Sequence, residues 1–164
     1  MKTLKTIAII AMLACSVSLA RAQNNINGIT TAYFGLKNAL AGGNGTAAEN
    51  SAKILTEALG APEKLTTDQQ KIFNAYIEKL KYDTRHISEV NDIDHQREHF
   101  QSLSKNLYEV LKGLKMNTAT VYMDYCPMKK AYWLSESSAI KNPYYSDKTM
   151  ATCGKTTATL AAVK

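Results

Sequence analysis

The amino-acid sequence predicts a mainly α fold: an up-down four-helix bundle, then an irregular C-terminal segment rich in Cys, Met and Tyr that contains one or two short strands. Three observations lead there. Four stretches carry apolar residues at three- and four-residue steps, the period of a helix with one buried face. Short breaks of Gly, Pro, Asn or Asp separate them. After Asn117 the helical period stops, and Thr, Val, Tyr, Met, Cys and Pro take over.

The first helix, about residues 25–41, rests on Ile26, Ile29, Tyr33, Leu36 and Leu40, and Ala41-Gly42-Gly43-Asn44-Gly45 ends it. The second, about 46–60, opens on Thr46 as a cap with Glu49 at capping-box spacing. Its stripe is Ala48, Ala52, Leu55 and Leu59, and Gly60-Ala61-Pro62 closes it. These two predict an antiparallel hairpin. The third helix, about 67–90, begins at the box-like Thr67-Asp68-Gln69-Gln70 and presents Ile72, Tyr76, Ile77, Leu80 and Ile87. Asn91-Asp92 interrupts the pattern, with one kinked helix as the alternative. The fourth, about 92–116, carries Ile93, Arg97, Phe100, Leu103, Leu107, Val110, Leu111 and Leu114. Beyond it, Thr118 to Tyr125 alternates as a short strand does. Lys155 to Lys164 reads as a second strand or a frayed tail. The whole segment 118–164 is too small to bury a core alone and is expected to pack on the helices.

Ahead of the helices, residues 1–22 read as an export signal peptide: Lys2 and Lys5, an apolar run from Ile7 to Leu19, then Ala20-Arg21-Ala22. The run falls short of the roughly 20 residues of a membrane span. In the rival reading Leu13-Ala14-Cys15 is a lipidation site, the one route to a membrane. Cleavage after Ala22 leaves residues 23–164 as a single helical-bundle domain, expected in the periplasm. The full chain has 20 basic and 14 acidic residues. The signal takes Lys2, Lys5 and Arg21 and no acid, leaving 17 basic against 14 acidic. That balance provides no concentrated basic face, so nucleic acid is not an expected partner.

The chemistry concentrates in the tail. Cys126-Pro127-Met128 sets two sulfurs two residues apart, on one side of an extended segment. Met150-Ala151-Thr152-Cys153 sets two more three apart, on one face of a helical turn. Together, Cys126, Met128, Met150 and Cys153 offer two thiolates and two thioethers. Thioethers favour Cu(I) or Ag(I) over zinc, and no paired CxxC motif argues for zinc. The alternative is a Cys126–Cys153 disulfide pinning the tail, with both methionines as core filler. A second donor set is nitrogen: His95 and His99 lie four apart, and a helical hairpin brings His86 to the same end. Three imidazoles there suit Cu(II), Zn or a second Cu(I); the plain alternative is solvated histidines among Asp92, Asp94, Arg97 and Glu98. Tyr122, Tyr125, Tyr132, Trp133, Tyr144 and Tyr145 read as glue between tail and helices. Asn142-Pro143-Tyr144-Tyr145 reads as a turn that aims Met150 and Cys153 back at Cys126. GxSxG, P-loop, GxGxxG and HExxH spacings are missing. Asp92 and Asp94 read as helix-start residues, so an enzyme is not expected.

Tyr122-Met-Asp-Tyr-Cys126-Pro-Met128, Trp133-Leu134-Ser135, Ile140-Lys-Asn142-Pro143-Tyr144-Tyr145 and Met150-Ala-Thr-Cys153-Gly154 resemble the signature of a bacterial domain of unknown function. Upstream, Tyr33-Phe34-x-Leu36-Lys37-x-Ala39-Leu40 and Gln96-Arg97-x-x-Phe100-x-x-Leu103-Ser104 resemble its helical part. Such domains occur as small exported Bacteroidetes proteins and fused to periplasmic adaptor subunits of copper/silver efflux pumps of the resistance-nodulation-division type. The resemblance implies metal-ligand roles for Cys126, Met128, Met150 and Cys153, and a periplasmic efflux adaptor as partner. Lys129 to Tyr132 is shorter than the family's glycine-containing loop, and Ser146 stands where the family tends to have Gly. The function expected is copper handling, an efflux-associated metallochaperone. The alternative is a disulfide-stapled helical interaction module of the cell envelope with no metal.

Overall fold

The computed structural model describes residues 25–61, 64–147 and 149–163. The export-signal and Cys15 lipidation readings lie outside these residues. Four helices come first, α1 (Asn25–Ala41), α2 (Gly45–Gly60), α3 (Thr67–Ser88) and α4 (Ile93–Leu114). Three strands follow, β1 (Val121–Cys126), β2 (Ala131–Ser135) and β3 (Lys155–Leu160). Among the described residues no helix is long and apolar enough to cross a membrane.

Two of the helix caps differ from the sequence expectation, and that of α4 falls at the expected Asp92, with Asp94 in its first turn. Asn44, in extended backbone, accepts from the Ala47 N–H and caps α2, so Thr46 falls inside the first turn. At α3 the box is Thr66 with Gln69, one residue upstream of the expected start, and both reciprocal hydrogen bonds form. α3 stops at Ser88, and Asp92 caps α4 by accepting from the N–H groups of Asp94 and His95. The break at Asn91-Asp92 therefore separates two helices, and the kinked-helix alternative is set aside. α4 ends at Leu114 with Lys115 in the left-handed conformation.

α1 packs along α2, α2 along α3 and α3 along α4. Two connections interlock at one end of the helices. A Cβ on Gly45 would stand 2.1 Å from the Asn91 carbonyl oxygen, so only glycine permits this approach. Gln96 Nε2 donates to both the Gly45 and the Val90 carbonyls, tying the two connections together.

The tail forms a three-stranded antiparallel sheet in the order β2-β1-β3, against the expected one or two strands. β2 is the strand that sequence reading missed. Its turn, Pro127 to Lys130, contains no glycine, and Lys130 itself takes the positive φ of 54°. β2 is also the strand that meets the helices, against α1 and α4. Tyr33 on α1 fixes that contact. The Ser104 hydroxyl already donates to the Phe100 carbonyl at 2.7 Å. Its Oγ therefore accepts the Tyr33 hydroxyl at 2.6 Å, while the Leu134 N–H donates to Tyr33 at 3.0 Å. Burial pushes the Tyr33 phenol far above its ordinary range, which keeps it a donor at any accessible pH. Within the sheet the buried Asp124 carboxylate accepts from Ser135 on β2 and Thr156 on β3, at 2.6 and 2.7 Å, joining all three strands.

Candidate metal centres

Cys126 closes β1 and is buried; Cys153 sits half-buried on the turn before β3. Both are free thiols, and their sulfurs lie 3.4 Å apart. Asn142 positions the pair. Its Nδ2 donates to the Cys153 carbonyl at 2.7 Å, its N–H donates to Ala151, and its Oδ1 accepts from the Tyr144 N–H. Gly154 completes the approach: a Cβ there would lie 2.7 Å from Trp133 Cη2 and 3.2 Å from the Tyr125 carbonyl. Burial opposes ionisation of Cys126. The Lys129 N–H, the Cys153 thiol, the Asn142 side chain and the Met128 N–H outweigh it and hold the Cys126 thiol below its usual range. Cys153 moves the other way, pushed up by its hydrogen bond to Cys126 and by burial. Of the two, Cys126 is the thiol that ionises first, with the Cys153 thiol hydrogen-bonded to it, an order that suits a soft cation or an exchange reaction.

The methionines flank this pair. Met128 lies on the β1–β2 turn and is 69% exposed, contributing its backbone N–H to the sulfurs while its thioether faces solvent. Met150 is half-buried on the turn whose carbonyl accepts the Cys153 N–H at 3.0 Å. The structure brings the two thiols together and leaves Met128 as a solvent-facing arm.

The histidines meet between α3 and α4. His86 and His99 stack with ring centroids 4.6 Å apart and planes at 8°, and His95 lies 4.9 Å from His99. One nitrogen from each of the three lies within 4.8 Å of the others. The acid partner is Asp83, not the Asp92, Asp94 or Glu98 considered from sequence. Its Oδ1 is 3.2 Å from His99 Nδ1, and it is buried on α3. Burial pushes the Asp83 carboxyl up, with Ser102, His99 and His86 pulling the other way. A signal for Asp83 was present: it falls on the apolar stripe of α3, between the buried Leu80 and Ile87.

Arg97 is the other residue whose role sequence alone understated. It stands in the apolar stripe of α4, yet its Nε donates to the Pro143 carbonyl at 2.9 Å and its second guanidinium nitrogen to the Leu40 carbonyl at 3.2 Å. The Asn142 turn is thereby locked to α1 and α4, which fixes one wall of the thiol site.

The family model described as protein of unknown function (DUF3347) matches residues 29–119. That match runs from within α1 to just past α4, including all three histidines, and ends before Cys126. No curated protein and no solved structure matches the chain. With more than half of its length matched, the chain belongs to the DUF3347 family of proteins of unknown function.

Proposed function

We propose that the protein is an exported soft-metal carrier that binds Cu(I), or Ag(I), at Cys126 and Cys153, with Met128 and Met150 as exchangeable thioether donors. The observation that supports this reading best is the pair of free thiols 3.4 Å apart, with Cys126 the more readily ionised of the two. Two thiolates suit a soft monovalent ion, and a thioether on an exposed turn can bind or leave without moving the sheet. In this reading the four helices run up and down as a rigid base, the periplasm is the site of action, and an efflux adaptor receives the ion. Transfer proceeds by exchange: a sulfur of the recipient displaces one thioether, then one thiolate.

The same separation also lets a disulfide close, which would make the chain a stapled interaction module. Anaerobic Cu(I) titration of the reduced protein against a chromogenic competitor separates the two. One equivalent bound, lost in Cys126→Ser and Cys153→Ser and weakened in Met128→Ala and Met150→Ala, is the expected result. Absence of Cu(I) binding by the reduced protein, with a disulfide in the exported form by alkylation mass spectrometry, would sink the carrier.

A further inference from the structure

We propose that His86, His95 and His99 form a second metal site, separate from the thiols, that takes a borderline divalent cation, Zn(II) or Cu(II), with Asp83 as the residue that orients His99. The placement comes from two rigid helices. His95 and His99 lie one turn apart on α4, just after the Asp92 cap. His86 lies in the last turn of α3, just before the connection. The helices run together at this end, so three imidazoles face one another without any loop contributing a donor.

The distances suit a metal. Ligand nitrogens about 2.0–2.1 Å from a tetrahedral zinc stand roughly 3.3 Å from each other. The three nitrogens already lie within 4.8 Å. Closing the difference is within reach of side-chain rotation, because all three rings have partial access to solvent. Imidazole is a good donor for Zn(II) and Cu(II) and a poor one for Mg(II) or Ca(II), which select oxygen. Three protein ligands leave a fourth position to water or another ligand, as in exchangeable rather than closed zinc sites.

Asp83 carries the second, independent observation. Its Oδ1 engages His99 Nδ1, so a neutral His99 that donates there keeps its lone pair on Nε2. Its Oδ2 is buried with no hydrogen-bond partner among the described residues. A buried carboxylate, even with Ser102 and His99 beside it, is unfavourable for a protein that has no cation nearby. An ion on the imidazoles supplies the missing positive charge through His99. Tyr82 closes one side, its ring 4.4 Å from that of His86 and 5.8 Å from that of His99.

The test uses purified Cys126→Ser/Cys153→Ser protein, so that sulfur cannot contribute. Co(II) titration, followed by ligand-field absorption, and Zn(II) competition with a chromogenic chelator read the site; Cu(II) is read by nitrogen hyperfine structure in electron paramagnetic resonance. One equivalent should bind in this background. His95→Ala and His99→Ala should each weaken binding at least about tenfold, and Asp83→Asn about 10- to 100-fold, the range for loss of an outer-shell carboxylate. His95→Ala changes a residue with access to solvent, so it keeps the test decisive if Asp83→Asn fails to fold. No stoichiometric binding in the double-serine protein, or unchanged binding in His95→Ala/His99→Ala, overturns the site. Cu(I) titration of His95→Ala/His99→Ala with both cysteines intact reports on the thiols alone, so failure of one site is distinguishable from failure of the other.

Discussion

His95 and His99 are four residues apart on one helix, whereas Cys126 and Cys153 are 27 apart and meet only because a turn and two strands fold back on each other. The nitrogen set is positioned by the backbone of α3 and α4. The sulfur set is positioned by tertiary devices, among them the Asn142 hydrogen bonds, the Gly154 contact and the Arg97 lock. A donor set built on helices should tolerate changes elsewhere in the molecule. One built on a packed tail should fail whenever the packing does.

Trp133→Ala is the strongest way to break that contrast. The indole is fully buried, and its loss should cost about 3–5 kcal/mol by denaturant titration. Cu(I) affinity at the thiols should fall with it, while Co(II) binding at the histidines stays. If both collapse together, the two regions are a single cooperative unit. Gly154→Ala is the sharper probe, because it forces a Cβ against Trp133 and should cost about 1–3 kcal/mol. Gly60→Ala, where nothing lies within 4 Å, is its control and should be near neutral in thermal melts.

A smaller effect is expected at the ion pair that joins α1 to the residue after β2. Lys37 is 2% exposed and donates to Glu136 at 2.7 Å; Glu136 is 40% exposed. Burial works against the Glu136 carboxylate, but Lys37 and Asn38 outweigh it and lower its pKa. Its stabilisation is therefore present above the pKa of the unfolded chain and is lost as pH falls through the lowered folded value. Glu136→Gln should cost about 1–2 kcal/mol at neutral pH, with solvent screening included, and the gap from the parent should close in acid. Stability measured by urea titration across that range checks the sign. The smallest effect belongs to Asn44→Ala, about 1 kcal/mol from a lost cap, against none for Thr46→Ala. Neither should move either metal affinity.

These same residues mark how much could be read in advance. The helices were legible because Ile26, Tyr33, Leu36 and Leu40, and their counterparts downstream, repeat with the helical period; the stripes of α1 and α2 are buried throughout, whereas on α3 only Leu80 and Ile87 of the expected stripe are buried, with Phe73 beside them. The caps of α2 and α3 slipped by two residues and by one, since several polar residues at each start satisfy the same local rule, while Asp92 caps α4 as expected. β2 was hidden by a turn without glycine and by a Trp-Leu-Ser run whose burial comes from distant segments, α1 and α4 on one hand and Tyr144, Gly154 and Asp124 on the other. Asp83, Lys37 and Asp124 are charged residues that sequence assigns to the surface. Their partners lie 16, 99 and 11 or 32 positions away. No local pattern encodes such pairings; only the completed fold does. The cysteine pair was legible as a pair of segments, because the Asn142-Pro143 turn between them pointed the chain back.

Trp133 is the only tryptophan in the sequence, and it presses on Gly154, the neighbour of Cys153. Its fluorescence is thus a native optical sensor for whatever happens at the sulfurs, with no label attached. A heavy ion or an oxidised bridge there should dim or shift the emission, while Zn(II) on the imidazoles between α3 and α4 should leave it unchanged. One spectrum can follow one half of the molecule while absorption follows the other.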